Sequence, residues 1–289
     1  MPRHAIMILC HDRPEQVDLL AAQFPAANFD VFIHVDRKSA ILPGIRRREN
    51  VFFVPEASRV DVRWGCFSQV EATLALLRMI DLPRYDYVHL ISGADFPIKS
   101  PGDILEACRS GLEFIESKPL PEATSWAWGG LDRVLVPTPD WLIRRPHESF
   151  FRVLRIIWRE FVMRTGLFKR RCWPAPKFYA GAQWFSITGA LAAWMLGYLD
   201  SHPDYCRFFA GGACVDEIFF ATLVRLSPFA DRLGPGPMRM IRWTGGADGG
   251  PATLTANDIP AMAAHPGFFA RKITDISVCE LIRDRLLKP

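Results

Sequence analysis

The chain alternates short hydrophobic runs with amphipathic segments over most of its first half. Runs rich in β-branched and aromatic residues predict strands over His4 to Cys10, Asp30 to Val35, Val51 to Val54 and Tyr85 to Ile91. Segments with apolar residues at helical spacing predict helices over Pro14 to Phe24, Trp64 to Ile80 and Gly102 to Arg109. Strands that alternate with helices in this way predict an α/β fold, a mostly parallel sheet with helices on both faces.

The second half continues the pattern after an interruption. Prolines and tryptophans from Lys118 to Pro146 predict a loop-rich stretch, and Ser149 to Phe168 is helical in period. Further strands are predicted over Glu113 to Glu116, Ala182 to Ile187 and Met238 to Thr244, and further helices over Leu191 to Leu199, Asp216 to Leu226 and Ser277 to Leu287. We find no repeat and no linker, so we expect one domain over residues 1–289 with an irregular and helical insertion at about 118–177.

Composition narrows the class of protein. Of the 289 residues 49% are hydrophobic, which excludes a disordered chain, and a net charge of +4 argues against a nucleic-acid binder. The seven cysteines include no CxxC and no metal-ligand spacing, which indicates free thiols in a reducing compartment. Cys10 and Cys214 lie in apolar stretches and are expected in the core. No secretory segment precedes the first strand, which favours a cytoplasmic protein.

Two segments raise the question of a membrane. Arg144 to Lys177 contains ten basic residues and two acidic ones, so the predicted helix within it is either an interfacial helix or a packed helix with an arginine-rich outer face. Phe178 to Leu199 has no charged residue, yet its polar residues and glycines favour a buried strand and helix over a membrane span.

The stretch from Tyr85 to Ser100 predicts where chemistry occurs. Its strand ends at a small-residue turn containing Asp95, Pro97 is expected to end ladder pairing, and Ser100 is placed to cap the next helix. Ligands of α/β sheets bind at this carboxyl edge of the strands. Asp36 follows another strand and could accept hydrogen bonds from a ribose or a base. For Asp95, capping of local amides is the simpler alternative.

One missing motif also carries information. No two aspartates are separated by a single residue, so the chain lacks the Asp-x-Asp pair with which many nucleotide-sugar enzymes hold a divalent ion. A diphosphate would then be neutralised by cations such as Arg271 and Lys272, unless these form only a solvated surface pair. Glu217 begins a predicted helix, where it is either a helix stabiliser or a general base. No GxGxxG or P-loop follows the first strand, which disfavours dinucleotide binding.

An ordered series of motifs resembles the core-2/I-branching β-1,6-N-acetylglucosaminyltransferase family, which includes the peptide O-xylosyltransferases. The series covers most of the chain outside about 118–177. It comprises His11, His34-Val35-Asp36-Arg37-Lys38, Val62-Arg63-Trp64-Gly65, Leu90 to Lys99, Gly181-Ala182-Gln183-Trp184-Phe185, Val215-Asp216-Glu217, Arg242-Trp243 and Phe269-Ala270-Arg271-Lys272. The cysteine framework of secreted animal members is missing, as in a cytoplasmic bacterial-type member.

The resemblance implies a GT-A-type fold that inverts the anomeric centre without a metal cofactor. Glu217 then looks like the catalytic base, Asp36 a uridine contact, Lys272 a diphosphate cation and Asp95 a donor-sugar contact. The other residues implied on the donor side are His11, Lys38, Trp64 and Arg271, and those on the acceptor side are Glu116, Trp184, Arg242 and Trp243. The family's second diphosphate cation falls near Gly249-Gly250, where this chain has none, so Arg242 or Arg271 would substitute.

The expected activity is transfer of a sugar, N-acetylglucosamine first and xylose second, from a UDP-sugar to a hydroxyl of a glycan or glycolipid. Two alternatives stay open. One is a protein that binds a nucleotide sugar without turnover, and the other is a scaffold bound to the inner membrane face through residues Arg144 to Lys177. Peripheral membrane contact is also compatible with the enzyme.

Overall fold

The structure, a computed structural model, describes residues 2–122, 126–143, 149–171, 175–244 and 250–288. The strands are β1 His4–Cys10, β2 Phe29–Val35, β3 Val51–Phe53, β4 Tyr87–Ser92, β5 Asp95–Pro97, β6 Lys118–Pro119, β7 Tyr179–Ala180, β8 Phe185–Thr188, β9 Arg239–Ile241 and β10 Phe269–Arg271. The α-helices are α1 Pro14–Ala21, α2 Ser68–Met79, α3 Pro101–Cys108, α4 Asp132–Leu135, α5 Asp140–Ile143, α6 Ser149–Thr165, α7 Gly189–Ser201, α8 Pro203–Phe209, α9 Asp216–Leu226, α10 Ile259–Ala264 and α11 Ile276–Ile282.

A five-stranded sheet forms the centre, in the order β3-β2-β1-β4-β8. Strands β1 to β4 are parallel, and β8 is antiparallel to β4. Successive residues of β1 point to opposite faces, so Met7 packs in one hydrophobic core while Ile6 and Ile8 pack in the other. Helices cover both faces. The α/β prediction is therefore confirmed, and the architecture agrees with a GT-A-type fold.

A second, three-stranded sheet in the order β5-β10-β9 continues from the end of β4. Its register places Arg271 opposite Asp95 and Phe269 opposite Pro97. The expectation that Pro97 ends ladder pairing was therefore wrong. The proline is tolerated because β5 is an edge strand of this second sheet. Ser100 caps α3 as expected, in a capping box with Asp103.

Several predicted elements differ from the structure. Residues 113–116 form no strand, only isolated bridges from Glu113 to Leu233 and from Phe114 to Ser186. Helix α2 begins at Ser68, not Trp64, because Gly65 turns the chain with a positive φ of 72°. The stretch expected to be loop-rich contains the short helices α4 and α5. Sequence analysis missed α8, although Pro203 stands at its first position, where proline is common in helices.

The predicted burial of Cys10 and Cys214 is confirmed for one of the two, and the structure also describes most of the segments considered for membrane contact. Cys10 is buried as expected, but Cys214 lies half-buried in a turn with a φ of 50°, so its prediction as a core residue was wrong. No helix in the described ranges is both long and apolar enough to cross a membrane. The uncharged stretch 178–199 instead forms β7, β8 and most of α7. Residues 144–148 and 172–174 of the basic segment lie outside the described residues. The single-domain organisation stays a prediction.

Candidate active site

The candidate active site lies at the carboxyl edge of the central sheet. In register, Cys10 pairs with Val35 and Leu9 with Ser92, so β1, β2 and β4 end side by side. His11, Asp36 and Asp95 follow these strand ends. Trp184 precedes β8, which runs antiparallel, so its start lies at the same edge. The topology therefore brings together residues that are far apart in sequence.

Asp36 is held at this edge by Lys38. Its Oδ1 accepts the Lys38 backbone N–H at 3.1 Å, and its Oδ2 lies 2.9 Å from Lys38 Nζ. The same ammonium lies 3.0 Å from Asp61, and the hydrogen bond from Lys38 holds the pKa of Asp61 below its ordinary value. The resulting Asp36–Lys38–Asp61 cluster fixes the loop after β2.

Asp95 and Arg271 form a buried ion pair. Arg271 Nη1 lies 3.1 Å from Asp95 Oδ1 and also donates to the Ser92 hydroxyl, and Asp95 Oδ2 accepts the Ser92 backbone N–H. The guanidinium carbon lies 4.4 Å from the centre of the Trp184 ring. The Asp95 side chain is only 1% exposed. The simpler alternative for Asp95 holds, because its carboxylate does cap a local amide. The alternative for Arg271 does not hold, because this residue lies in strand β10 and not on a solvated turn.

Glu217 lies in the first turn of α9 with its side chain 29% exposed. One carboxylate oxygen, Oε2, pairs with Arg133 of α4, whose guanidinium stacks 3.5 Å from the centre of the Trp126 ring. No group in the described residues donates a hydrogen bond to Oε1. Glu217 therefore does not point into the hydrophobic core, and one of its oxygens is available to a ligand.

The start of α9 is fixed from two sides. Cys214 donates its backbone N–H to the Gly65 carbonyl at 2.7 Å, and the Gly181 N–H donates to the Glu217 carbonyl at 2.8 Å. Asp216 turns inward, where Gln69 Nε2 lies 3.4 Å from its Oδ2. Burial first, and then the neighbouring Glu217 carboxylate, raise the pKa of Asp216 to about 7. The two adjacent acids thus have different environments.

Residues 181–184 connect the parts of the site. The Ala182 N–H donates to Glu116 Oε2 at 3.0 Å, and Lys118 Nζ lies 2.5 Å from the other Glu116 oxygen. Through Gly181 and Trp184 the same segment contacts the Glu217 backbone and the Arg271 side chain. Glu116, Trp184, Glu217 and Arg271 are therefore neighbours in the fold.

The remaining predicted residues lie at the surface of the site or beside it. His11, Trp64 and Trp243 are exposed. Arg242 pairs with Asp258, and Arg271 is paired as described above, so neither proposed substitute for the second diphosphate cation is unpartnered. Gly249 lies outside the described residues. Lys272 follows β10, and its side chain makes no ion pair or hydrogen bond within the described ranges.

Among the residues that the structure describes, no group of three metal-ligating side chains lies at this edge. Across the described residues, one cluster of three such groups occurs, His4, His89 and Cys108, and all three are buried in the core. His4 Nδ1 and His89 Nε2 lie 3.0 Å apart in a hydrogen bond with each other, and burial lowers the pKa of both rings. The two histidine rings are hydrogen-bonded to each other, so these nitrogen atoms are not free to bind a metal.

A mostly parallel sheet whose carboxyl edge gathers acids, cations and aromatic rings is the architecture of α/β enzymes, which bind polar ligands at this edge. The family model of the core-2/I-branching enzyme matches residues 5–271, nearly the whole chain. The chain belongs to this family and is a glycosyltransferase, a class that uses a nucleotide-sugar donor and a glycan acceptor. A sequence search of curated proteins found no match.

Sequence analysis missed three residues of the site, Gln69, Arg133 and Trp126. Gln69 binds the Gly65 N–H at 2.5 Å and approaches Asp216, which joins α2 to the start of α9. Its position one turn into the predicted helix was only weak evidence that its side chain contacts the turn before the helix. Arg133 and Trp126 come from the irregular stretch after Lys118, where no periodic pattern indicated which side chains face the sheet edge.

Proposed function

We propose that the chain is an inverting glycosyltransferase that works without a metal and moves a sugar from a UDP-sugar to a hydroxyl of a glycan or glycolipid. N-acetylglucosamine is the first candidate sugar and xylose the second. The observation that carries the proposal is Glu217, a half-buried acid with one oxygen paired to Arg133 and the other open, beside the sheet edge.

In this mechanism Glu217 is the general base. Its open oxygen accepts the acceptor hydroxyl proton as the hydroxyl oxygen bonds to the anomeric carbon. The bond from that carbon to the diphosphate oxygen breaks on the opposite face, and UDP leaves with the electron pair. Proton transfer to a positioned base contributes about a hundred- to ten-thousand-fold in rate. Arg133 orients the carboxylate by pairing with its other oxygen.

The departing diphosphate requires positive charge. Lys272, without a carboxylate partner among the described residues, is our candidate, with Arg271 beside it. Asp95 supports a metal-free site because both of its oxygens already accept hydrogen bonds, one of them from Arg271. The missing Asp-x-Asp pair supports the same conclusion. Preorganised cations can stabilise such charge in place of an ion.

The other donor and acceptor contacts are proposed from where each residue lies around the sheet edge. Asp36 would bind the uridine, with His11, Lys38 and Trp64 around it, and Asp95 would contact the donor sugar. Glu116, Trp184, Arg242 and Trp243 would bind the acceptor, where the exposed Trp243 ring offers a surface on which a sugar can stack. A single domain, a cytoplasmic location and contact with the inner membrane face complete the proposal.

The test is a screen for UDP release from a set of nucleotide sugars, with EDTA present throughout. We expect release from UDP-N-acetylglucosamine, or from UDP-xylose if the second candidate is correct, and faster release when a hydroxyl acceptor is added. Tight UDP binding without release from any donor would favour the non-catalytic alternative. Release only after addition of manganese or magnesium would contradict the metal-free mechanism.

A further inference from the structure

Helix α6 turns its apolar side away from the rest of the protein. Its inward side is anchored by Val162, which is fully buried, by Trp158, whose Nε1 donates to the Pro137 carbonyl at 2.8 Å, and by Arg159, 3.8 Å from Asp132. Phe150, Val153, Ile157 and Phe161 recur every three or four residues along another side of the helix, and all are exposed. The Phe161 ring also stacks on the Trp158 ring, with 6.1 Å between the ring centres.

The exposure of this stripe is large. Phe150 is 71% exposed and Ile157 59% exposed. At the end of the helix Gly166 turns the chain with a φ of 72°, and Phe168 beyond it is 68% exposed. Apolar side chains grouped along about 16 Å of one helix are unusual on a surface that meets only water. We call Phe150, Val153, Ile157, Phe161 and Phe168 the apolar stripe.

The charge around the stripe identifies what covers it. Residues 149–171 include seven basic residues and one acid, Glu160. Arg152 and Arg164 are exposed on the helix itself. A second copy of this chain would bring two positive surfaces together, which is unfavourable. An anionic bilayer offers both a negative surface for the arginines and a hydrocarbon boundary for the stripe.

We propose that the apolar stripe and the exposed arginines of α6 bind the protein peripherally to an anionic membrane surface. Helix α6 lies close to the candidate active site, because Arg159 on its inward side approaches Asp132 of α4, and α4 also supplies the Arg133 that pairs with Glu217. If the proposed function is correct, this placement makes a lipid-linked sugar the class of acceptor, and that second statement rests on the proposed function.

The experiment is co-sedimentation of the full chain with vesicles, which needs neither donor nor acceptor. One set of vesicles is phosphatidylcholine alone, and the other is an equal mixture of phosphatidylcholine and phosphatidylglycerol. We expect binding to the anionic vesicles and little to the neutral ones. High salt should weaken binding because it screens the arginines.

Two variants separate the apolar from the charged contribution. Phe150→Ser with Ile157→Ser should lower the vesicle partition coefficient about tenfold or more, since both side chains lose their insertion into the bilayer. Arg152→Gln with Arg164→Gln should lower it about twenty-five-fold on anionic vesicles, at about fivefold for each arginine. All four side chains are exposed, so the variants should fold, which thermal unfolding verifies.

Matched controls come from exposed residues elsewhere. Phe52→Ser with Ile276→Ser, and Arg109→Gln with Arg207→Gln, should bind vesicles like the wild type. The proposal is wrong if the wild type binds neither vesicle, or if the stripe variant binds as well as the wild type. It is also wrong if sedimentation velocity shows a dimer that only the stripe variant dissociates, since a second copy would then be the partner. Any of these results leaves the UDP-release test unaffected.

Discussion

The candidate site contains two carboxylate–arginine pairs with opposite properties. Asp95 and Arg271 are joined across two strands of the second sheet, and both Asp95 oxygens are occupied. Glu217 and Arg133 join two helix termini at the surface, and only one Glu217 oxygen is paired. The first pair joins the two strands and has no free carboxylate oxygen, whereas the second holds an acid in place and leaves one of its oxygens unpaired among the described residues.

The difference shows why an ion pair alone does not indicate a role. A buried pair whose partners are fully hydrogen-bonded mainly fixes geometry, and removal of one partner leaves an uncompensated charge. A half-exposed pair adds little stability but can orient a carboxylate toward a ligand. Substitution of Glu217 should therefore mainly lower the rate of transfer, whereas substitution of Asp95 should mainly lower the free energy of unfolding.

The largest expected effect is on catalysis. Glu217→Gln removes the proposed base, so we expect the transfer rate to fall by about a hundred- to ten-thousand-fold while UDP affinity is unchanged. Initial rates and calorimetric titration with UDP measure the two quantities. Glu71→Gln is the control, since Glu71 is likewise an acid in the first turn of a helix, but it is exposed and lies outside the candidate site. A variant with near-normal transfer would remove Glu217 from its role.

The next effect is on stability. Asp95→Asn leaves Arg271 without its charge partner, and we expect a loss of about 3 kcal/mol in the free energy of unfolding. Glu217→Gln should cost less than about 1 kcal/mol, because its pair is partly exposed. Urea denaturation of both variants measures the contrast. Equal losses would mean that the two pairs do not differ as described.

A smaller effect distinguishes the two adjacent acids of α9. Burial raises the pKa of Asp216 to about 7, so the folded protein keeps a proton that the unfolded chain releases near pH 4. Folding stability should therefore fall as the pH rises through the interval from about 4 to 7. Asp216→Asn should remove this loss and be more stable than the wild type at pH 8, by about 1 to 2 kcal/mol.

Urea denaturation at pH 5 and pH 8 tests this prediction. The difference between Asp216→Asn and the wild type should grow toward pH 8. If both proteins lose the same stability between the two values, Asp216 does not keep its proton in the folded state.

The smallest effect concerns the diphosphate. Lys272→Ala removes a charge-assisted contact, so we expect UDP to bind about tenfold more weakly. Calorimetric titration in EDTA measures this affinity, with Lys288→Ala, an exposed lysine near the end of the chain, as the control. Unchanged affinity would remove Lys272 from the site and leave the diphosphate cation unassigned.

Local signals predicted much of the fold. The apolar run from His4 to Cys10 is strand β1 without a shift, and the amphipathic run from Asp216 to Leu226 is α9. The order of strands then placed Asp36 and Asp95 at one edge, because parallel strands end together. Such patterns are periodic and local, which is why the sequence alone reveals them.

The pairs within the site could not be predicted in this way. Asp95 and Arg271 are 176 residues apart, and Arg133 and Glu217 are 84 apart. Arg133 comes from a stretch without periodicity, and the second sheet forms from strands of three residues each. Contacts of this kind depend on how the whole chain folds, and neither propensity nor spacing encodes them.

The most direct test of the account is the anomeric configuration of the product, determined by NMR after transfer in the presence of EDTA. A lone base at Glu217 permits only a single displacement, so the α-linked sugar of the donor should appear β-linked in the product. A product that keeps the α-configuration would contradict the assignment of Glu217 as the general base.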